Sequence, residues 1–334
     1  MRTINIAFVD FWERWDANNN FIIEHLRKHY NVQLSNTPDY VFFSNFGGQI
    51  QHFKYNDCIK IFYTPENLCP DFNLADYAIS FEYLDFGDRH LRYPNYMTKA
   101  SYKSAWEAMK VKHLVDGEQA LNRKFCSFVV SNGNANEIRD VFFEKLSQYK
   151  KVDSGGRYKN NIGIKKGISD KRGFDSEHKF SITFENTSHP GYLTEKLVEG
   201  FAASVIPIYW GDPLVSKIFN KKSFIDINDF PTIDMAIDFI KEVDNNEQLY
   251  MKILQEPALI KDDTWEIYEQ RLDSFLMNIF EQTPIQAVRR NREFWGEIYN
   301  KKQKIGCHFY ENFCNNILAR GIKKIVIDYQ DIKN

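Results

Sequence analysis

Short apolar runs alternating with longer amphipathic stretches constrain this chain more than any other feature. Residues 4–11, 32–34, 40–44, 59–63 and 77–81 are runs of strand length bounded by turn residues. Between the first two, residues 18–30 place Phe21, Ile22 and Leu26 on one helical face. Parallel strands need a long crossover, usually a helix, so this alternation predicts a parallel α/β sheet. It forms a first Rossmann-like layer ending near residue 90. Residues 91–122, rich in Lys, Tyr and small polar residues, read as a helical connector. A second alternation comes next, with strands over 125–131, 181–184 and 205–210 and helices over 137–149, 194–203 and 234–243. Pro207 cannot donate to a ladder, so its strand is expected to be short or bulged. Two such layers suit 334 residues, about two domains' worth.

Several function classes fall away. A net charge of −2 is not the balance of a chain that grips nucleic acid along its length. No run approaches 18 apolar residues, and INIAFVDFW after Met1-Arg2-Thr3 reads as a strand rather than a leader. The five cysteines are scattered without metal-type spacing, which suggests reduced, mostly buried thiols of a cytosolic protein. The chain has no G-x-G-x-x-G, no P-loop and no G-x-S-x-G elbow. His25 and His29 are four apart, but Leu26 stands where H-E-x-x-H needs Glu, so they read as a solvated helix face. Asp85/Asp88 and Asp226/Asp229 do not make the D-x-D pair that holds a divalent metal in many sugar-nucleotide enzymes. A required metal is not indicated.

Two expected helices break a local rule. In SNGNANEIRDVFFEKL, Asn134 or Asn136 can cap, which puts Arg139 in the opening turn. In FENTSHPGYLTEKLVEGF, Thr194 can cap, which puts Glu195 and Lys196 at the first two helical positions. The macrodipole disfavours a cation there, whereas free N–H groups at such an end attract phosphate. An Arg and a Lys at two helix starts, each after a strand, would complete a diphosphate pocket. The plain alternative is local pairing: Arg139 with Asp140 or Glu144, and Lys196 with Glu195 or Glu199. Glu66 is a third oddity, a carboxylate just past an apolar strand in IFYTPENLCPDF, between Pro65 and Pro70. Its alternative is an ordinary exposed loop Glu.

At these residues the chain resembles a known family. FENTSHPGYLTEKLVEGFAASVIPIYWGDP resembles the signature of the α1,3/4-fucosyltransferases, closest to their bacterial members. IFYTPENLCPDFNLADYAISFEYLDFGDRHLRYP is similar to their N-terminal block, and KFCSFVVSNGNANEIRDVFFEKL and KKSFIDINDF extend the match over roughly residues 1–280. The resemblance implies a GT-B α/β architecture, two Rossmann-like domains facing across a cleft, with a helical C-terminal tail. The expected division is an acceptor-binding domain over 1–115, a GDP-fucose-binding domain over 116–285 and a basic tail over 286–334. It further implies an inverting transfer of L-fucose from GDP-fucose to the GlcNAc of a galactose–GlcNAc acceptor, giving a Lewis x-type product. Such products belong to bacterial surface glycans, lipopolysaccharide among them. By matching position Glu66 takes the general-base role, Arg139 and Lys196 bind the diphosphate, and Asn186, Tyr192 and Glu195 help hold the donor. Glu185 is expected to be structural, and no function is carried onto His189. No cofactor is required, though Mn or Mg could stimulate.

The chemistry of the residues agrees. One base must take the acceptor proton, and the leaving phosphate needs fixed positive potential, which two cations and helix N–H groups can supply without a metal. Three alternatives stay open: α1,4 or dual-specificity transfer to type 1 chains, another surface-polysaccharide acceptor, and a non-catalytic glycan-binding module. From Arg289 to Lys333 ten Lys and Arg residues stand against five acids, with Phe294, Trp295, Ile298 and Tyr299 among them. This segment could lie on the inner face of an anionic membrane or pack on a domain. The expected location is cytoplasmic. No sustained heptad follows Phe280, and the sequence leaves oligomeric state open.

Overall fold

The computed structural model describes residues 1–261 and 264–315. The chain divides into two compact units. Met1–Ser80, Leu84–Arg92 and the described residues from Gln270 onward form the first, and Phe81–Tyr83 with Tyr93–Glu269 form the second.

The first unit begins with β1 (Thr3–Val9), α1 (Phe21–Arg27), β2 (Asn31–Leu34), β3 (Tyr40–Phe43), β4 (Ile59–Tyr63), β5 (Tyr77–Ser80) and β6 (His90–Arg92). Its six strands pair in parallel in the order β2-β1-β3-β4-β5-β6. Every residue of YVFF, IKIFY and YAIS is buried, as in strands covered on both faces. The strand expected over 4–11 stops at Val9, because Asp10 turns into the left-handed region (φ 59°) and takes Phe11 out of the ladder. The helix expected from residue 18 starts at Phe21, where the Asn20 side chain accepts the Ile23 N–H at 3.0 Å. His25 is not solvated. It is buried, with Nδ1 2.6 Å from Asp273.

The second unit continues with α2 (Ala100–Lys110), α3 (Gly117–Leu121), β7 (Lys124–Phe128), α4 (Ile138–Tyr149), β8 (Val152–Ser154), α5 (Lys171–Ser176) and β9 (His178–Ile182). After these come α6 (Glu195–Ala202), β10 (Ile206–Tyr209), β11 (Ile225–Asp226), α7 (Ile233–Asn245), α8 (Glu247–Leu254) and α9 (Trp265–Phe280). The last described element, α10 (Trp295–Asn315), belongs to the first unit. The second sheet is also parallel, ordered β11-β10-β9-β7-β8. Phe128, Phe142, Phe180, Ile208 and Ile240 lie in its core. Pro207 is tolerated inside β10 for a simple reason. The Ile208 carbonyl accepts the Thr183 N–H on the β9 side, so the Pro207 nitrogen faces β11, where pairing starts only at Ile208.

The expected domain boundaries move. Residues 93–115 join the second unit, where the fully buried Trp106 stacks on Tyr96 at 5.7 Å and Lys112 donates to the Leu254 carbonyl at 2.8 Å. From Gln270, inside α9, the chain returns to the first unit, because Phe280 packs on Tyr40 at 4.3 Å and Tyr30 at 5.8 Å. The described part of the segment after residue 285 is not a separate tail either, since its first arginines find acids of the first unit. Arg290 is buried against Asp76, and Arg289 pairs with Asp88 at 2.6 Å. These two are therefore spent and not free for an anionic surface. Arg320, Lys323, Lys324 and Lys333 lie outside the described residues. Among the described cysteines only Cys126 is buried, so the expectation of mostly buried thiols fails: Cys58 and Cys307 are half-buried and Cys69 is exposed. No helix among the described residues is long and apolar enough to cross a membrane.

Candidate active site

In the second unit the segment after β9 organises the site. Apolar residues carry the chain through Phe184 into Glu185, which is fully buried. A carboxylate there must be paired, and it is. Its oxygens accept the Thr194 N–H and hydroxyl, both at 2.7 Å, and the Lys196 ammonium at 3.0 Å. Thr194 stands at the N-cap of α6, but its hydroxyl is spent on Glu185 and no side chain caps the helix. Burial pushes the Glu185 carboxyl up, with Lys196 opposing. Burial also pulls Lys196 down, but Glu185 and Glu195 outweigh it, so its pKa lies above the ordinary lysine value. The cation is charged at neutral pH.

Arg139 is the second residue of α4 and almost fully buried. Its guanidinium donates to Asn186 Oδ1 at 3.3 Å and to the Asn132 carbonyl at 2.8 Å, and it sits over the Tyr158 ring at 5.7 Å. Its Nε is buried with no hydrogen-bond partner among the described residues. Burial draws the Arg139 pKa below the usual arginine range, with Asp140 opposing. Neither capping candidate stands at the N-cap, which is Glu137 and makes no side-chain cap. Asn136, one residue earlier, accepts the Ile138 N–H on its side chain at 3.0 Å, and its own N–H donates to the Asn186 carbonyl at 2.8 Å.

The local pairings do not form. Asp140 accepts the Tyr158 hydroxyl, Glu144 takes Lys159, and Glu199 takes Lys171 at 2.8 Å. Arg139 and Lys196 are instead tied to the consecutive residues Asn186 and Glu185. Tyr192 is buried, edge-on to Phe81 at 5.1 Å, and the half-buried Glu195 opens α6. Gly191 before Tyr192 has φ 87° and lies against the Phe81 carbonyl, where a Cβ would come within 2.8 Å. His189 pairs with Glu82 at 3.0 Å.

Glu66 belongs to the first unit and the other five predicted residues to the second. It lies three residues beyond β4, exposed, with its N–H donating to Thr64 Oγ1 at 3.1 Å. Sequence reasoning missed Asn132, Tyr158 and Gly211. The first two sit on loops without periodic signal. Gly211 leaves a trace in YWGDP, and a Cβ there would lie 2.5 Å from Glu185 Cγ.

Residues 6–99 match the model of the α-(1,3)-fucosyltransferase FucT N-terminal domain, and residues 120–259 match the C-terminal domain of glycosyltransferase family 10 (fucosyltransferase). A crystal structure of an α1,3-fucosyltransferase aligns with a TM-score of 0.73 at 31% identity, over 88% of this chain and 93% of that one. The chain belongs to the fucosyltransferase family. Its two parallel sheets and C-terminal helices are the GT-B fold of those fucosyltransferases. The chain is also similar to an α1,3-fucosyltransferase crystallised with GDP-fucose, with a TM-score of 0.67 and 29% identity over 87% of this chain and 94% of that one. The α-(1,3)-fucosyltransferase FucT of Helicobacter pylori is 35% identical over 80% of this chain and 63% of its own length. The present fucosyltransferase chain thus spans somewhat under two thirds of that relative.

Proposed function

We propose that this chain is an inverting α1,3-fucosyltransferase that moves L-fucose from GDP-fucose to the GlcNAc of N-acetyllactosamine-type glycans. The GlcNAc O3 attacks the anomeric carbon of fucose on the face opposite the phosphate. The bond from that carbon to the β-phosphate oxygen breaks, the hydroxyl proton passes to Glu66, and GDP leaves with the bonding pair. Arg139 and Lys196 hold the diphosphate and stabilise the charge that develops on it. Asn186 positions the Arg139 guanidinium, and Tyr192 and Glu195 help hold the donor. The crystallised relative with GDP-fucose supports the donor assignment.

The observation that supports this reading most is the tethering of Arg139 and Lys196 to the adjacent residues Asn186 and Glu185 at two helix starts. A glycan-binding module has no use for two cations so arranged. The absence of a D-x-D pair agrees with charge stabilisation by these side chains alone.

Calorimetric titration with GDP, beside turnover, tests the division of labour. Lys196→Ala removes a charge-assisted contact, so GDP affinity should fall about 10- to 100-fold together with turnover. Glu66→Ala should lower turnover by about 10²- to 10⁴-fold and leave GDP affinity intact. A large loss of GDP affinity in Glu66→Ala, or none in Lys196→Ala, would contradict the assignment.

A further inference from the structure

We infer that Trp12, braced edge-on by Trp15 and Phe46, forms the platform on which the galactose ring of the acceptor stacks. The inference rests on the reading of this chain as a transferase to galactose–GlcNAc acceptors.

Ligands of parallel sheets collect beyond the carboxyl ends of the strands. In the first unit, the loops that leave β1, β3 and β4 at that edge are fastened together. The Asp10 carbonyl accepts the Phe46 N–H at 2.8 Å, and its carboxylate accepts the Gln51 and His52 N–H groups at 2.9 and 3.0 Å. The Thr64 hydroxyl donates to Asn45 Oδ1, and that same Thr64 oxygen accepts the Glu66 N–H. A continuous frame therefore runs from the end of β1, through the loop after β3, to the base. Asp10 and Gln49 hold positive φ angles of 59° and 56°, the kind of strain kept where a position matters.

Aromatic rings stand on this frame. Trp12 meets Phe46 at 5.3 Å and Trp15 at 4.9 Å, both edge-on, and Phe11 stacks on Trp15 at 4.4 Å. Phe11 and Trp15 reach Tyr63, the last residue of β4, at 6.3 and 6.2 Å. Phe42, Phe43 and Phe62 of the same sheet are buried, whereas Phe11, Trp12, Trp15 and Phe46 are only half-buried. A contiguous half-exposed aromatic cluster that touches the buried Tyr63, three residues along the chain from the proposed base, is more than a rim of the core requires. The chemistry names its occupant. Galactose, with its axial O4, gathers C–H groups on one ring face, and such a face is attracted to the negative face of an aromatic ring. Asn45, the half-buried neighbour of Phe46 whose Oδ1 accepts the Thr64 hydroxyl, puts a side-chain amide beside the cluster for the hydroxyl edge.

Initial rates at saturating GDP-fucose, measured with N-acetyllactosamine and with free GlcNAc, test the platform. Trp12→Ala should raise the KM for N-acetyllactosamine about tenfold and leave the KM for GlcNAc and the affinity for GDP unchanged. Trp12→Phe should restore most of the loss. An unchanged KM in Trp12→Ala, or an equal loss with both sugars, would overturn the inference. Tryptophan emission during a titration with N-acetyllactosamine alone reads binding without transfer. A saturable change in the wild type that Trp12→Ala abolishes supports the platform, and no change in the wild type overturns it. If emission responds but no fucose is ever transferred, the transferase reading fails while the galactose platform stands.

Discussion

The buried Lys60 and Lys112 and the half-buried Lys196 meet different fates, and the difference lies in their partners. Lys60 donates to the neutral Asn56 Oδ1, and burial pushes its pKa down to about 7, with Arg290 adding to the fall. Lys112 donates to the Leu254 carbonyl over the Phe201 ring, and burial pushes it down to about 7 with Glu256 opposing. Lys196 has a buried carboxylate against its ammonium and stays above the ordinary value. Glu185 thus keeps a charge where the proposed reaction uses one. The Lys112 shift has a measurable consequence. Between about pH 7 and the ordinary 10.5, the folded chain holds fewer protons on this group than the unfolded chain. Its contribution to stability therefore rises with pH across that window. In urea unfolding between pH 7 and 10, wild type should gain stability relative to Lys112→Met; parallel trends for the two proteins would contradict the shift.

At the scale of elements, the start of α6 depends on how closely β10 and its following turn approach β9. Gly211 supplies that closeness, because a Cβ would lie 2.5 Å from Glu185 Cγ and 2.7 Å from the Tyr209 hydroxyl. Gly211→Ala should cost about 1–3 kcal/mol of stability through overpacking. It should also weaken GDP binding, because Glu185 cannot move without moving Thr194 and Lys196. Thermal melts with and without GDP check both effects; an unchanged Tm and an unchanged GDP shift would show that the turn absorbs the methyl. The same elements separate what could be read from sequence from what could not. β3, β4 and β5 were legible because buried parallel strands are near-continuous apolar runs. β6 and β8 have three residues each, too few for any period to show. Arg139 and Lys196 were legible as cations at helix starts. Their partners were not, because Asn186 and Glu185 lie 47 and 11 residues away in sequence. The aromatic cluster was hidden for another reason: Phe11 reads as the end of an apolar run, and only the left-handed Asp10 turns it into a loop.

Across the whole molecule, the chain enters the first unit, passes through the second and returns within α9. The return explains why a simple division at residues 115 and 285 fails. It also explains the start of the basic segment, where Arg290 and Arg289 answer the carboxylates of Asp76 and Asp88 in the first unit. Both family matches fall on the parts that carry the candidate residues: Glu66 within 6–99, and Arg139, Asn186, Tyr192, Glu195 and Lys196 within 120–259. The central claim is therefore chemical, and one measurement tests it directly. The purified chain is incubated with GDP-fucose and an equal mixture of Galβ1,4GlcNAc and Galβ1,3GlcNAc in EDTA, and the products are read by mass spectrometry and linkage analysis. The account predicts GDP and a product bearing α1,3-linked fucose on the GlcNAc of the Galβ1,4 disaccharide, formed despite the chelator. Fucose found only on the Galβ1,3 disaccharide, transfer that needs added manganese, or no transfer to either sugar would contradict it.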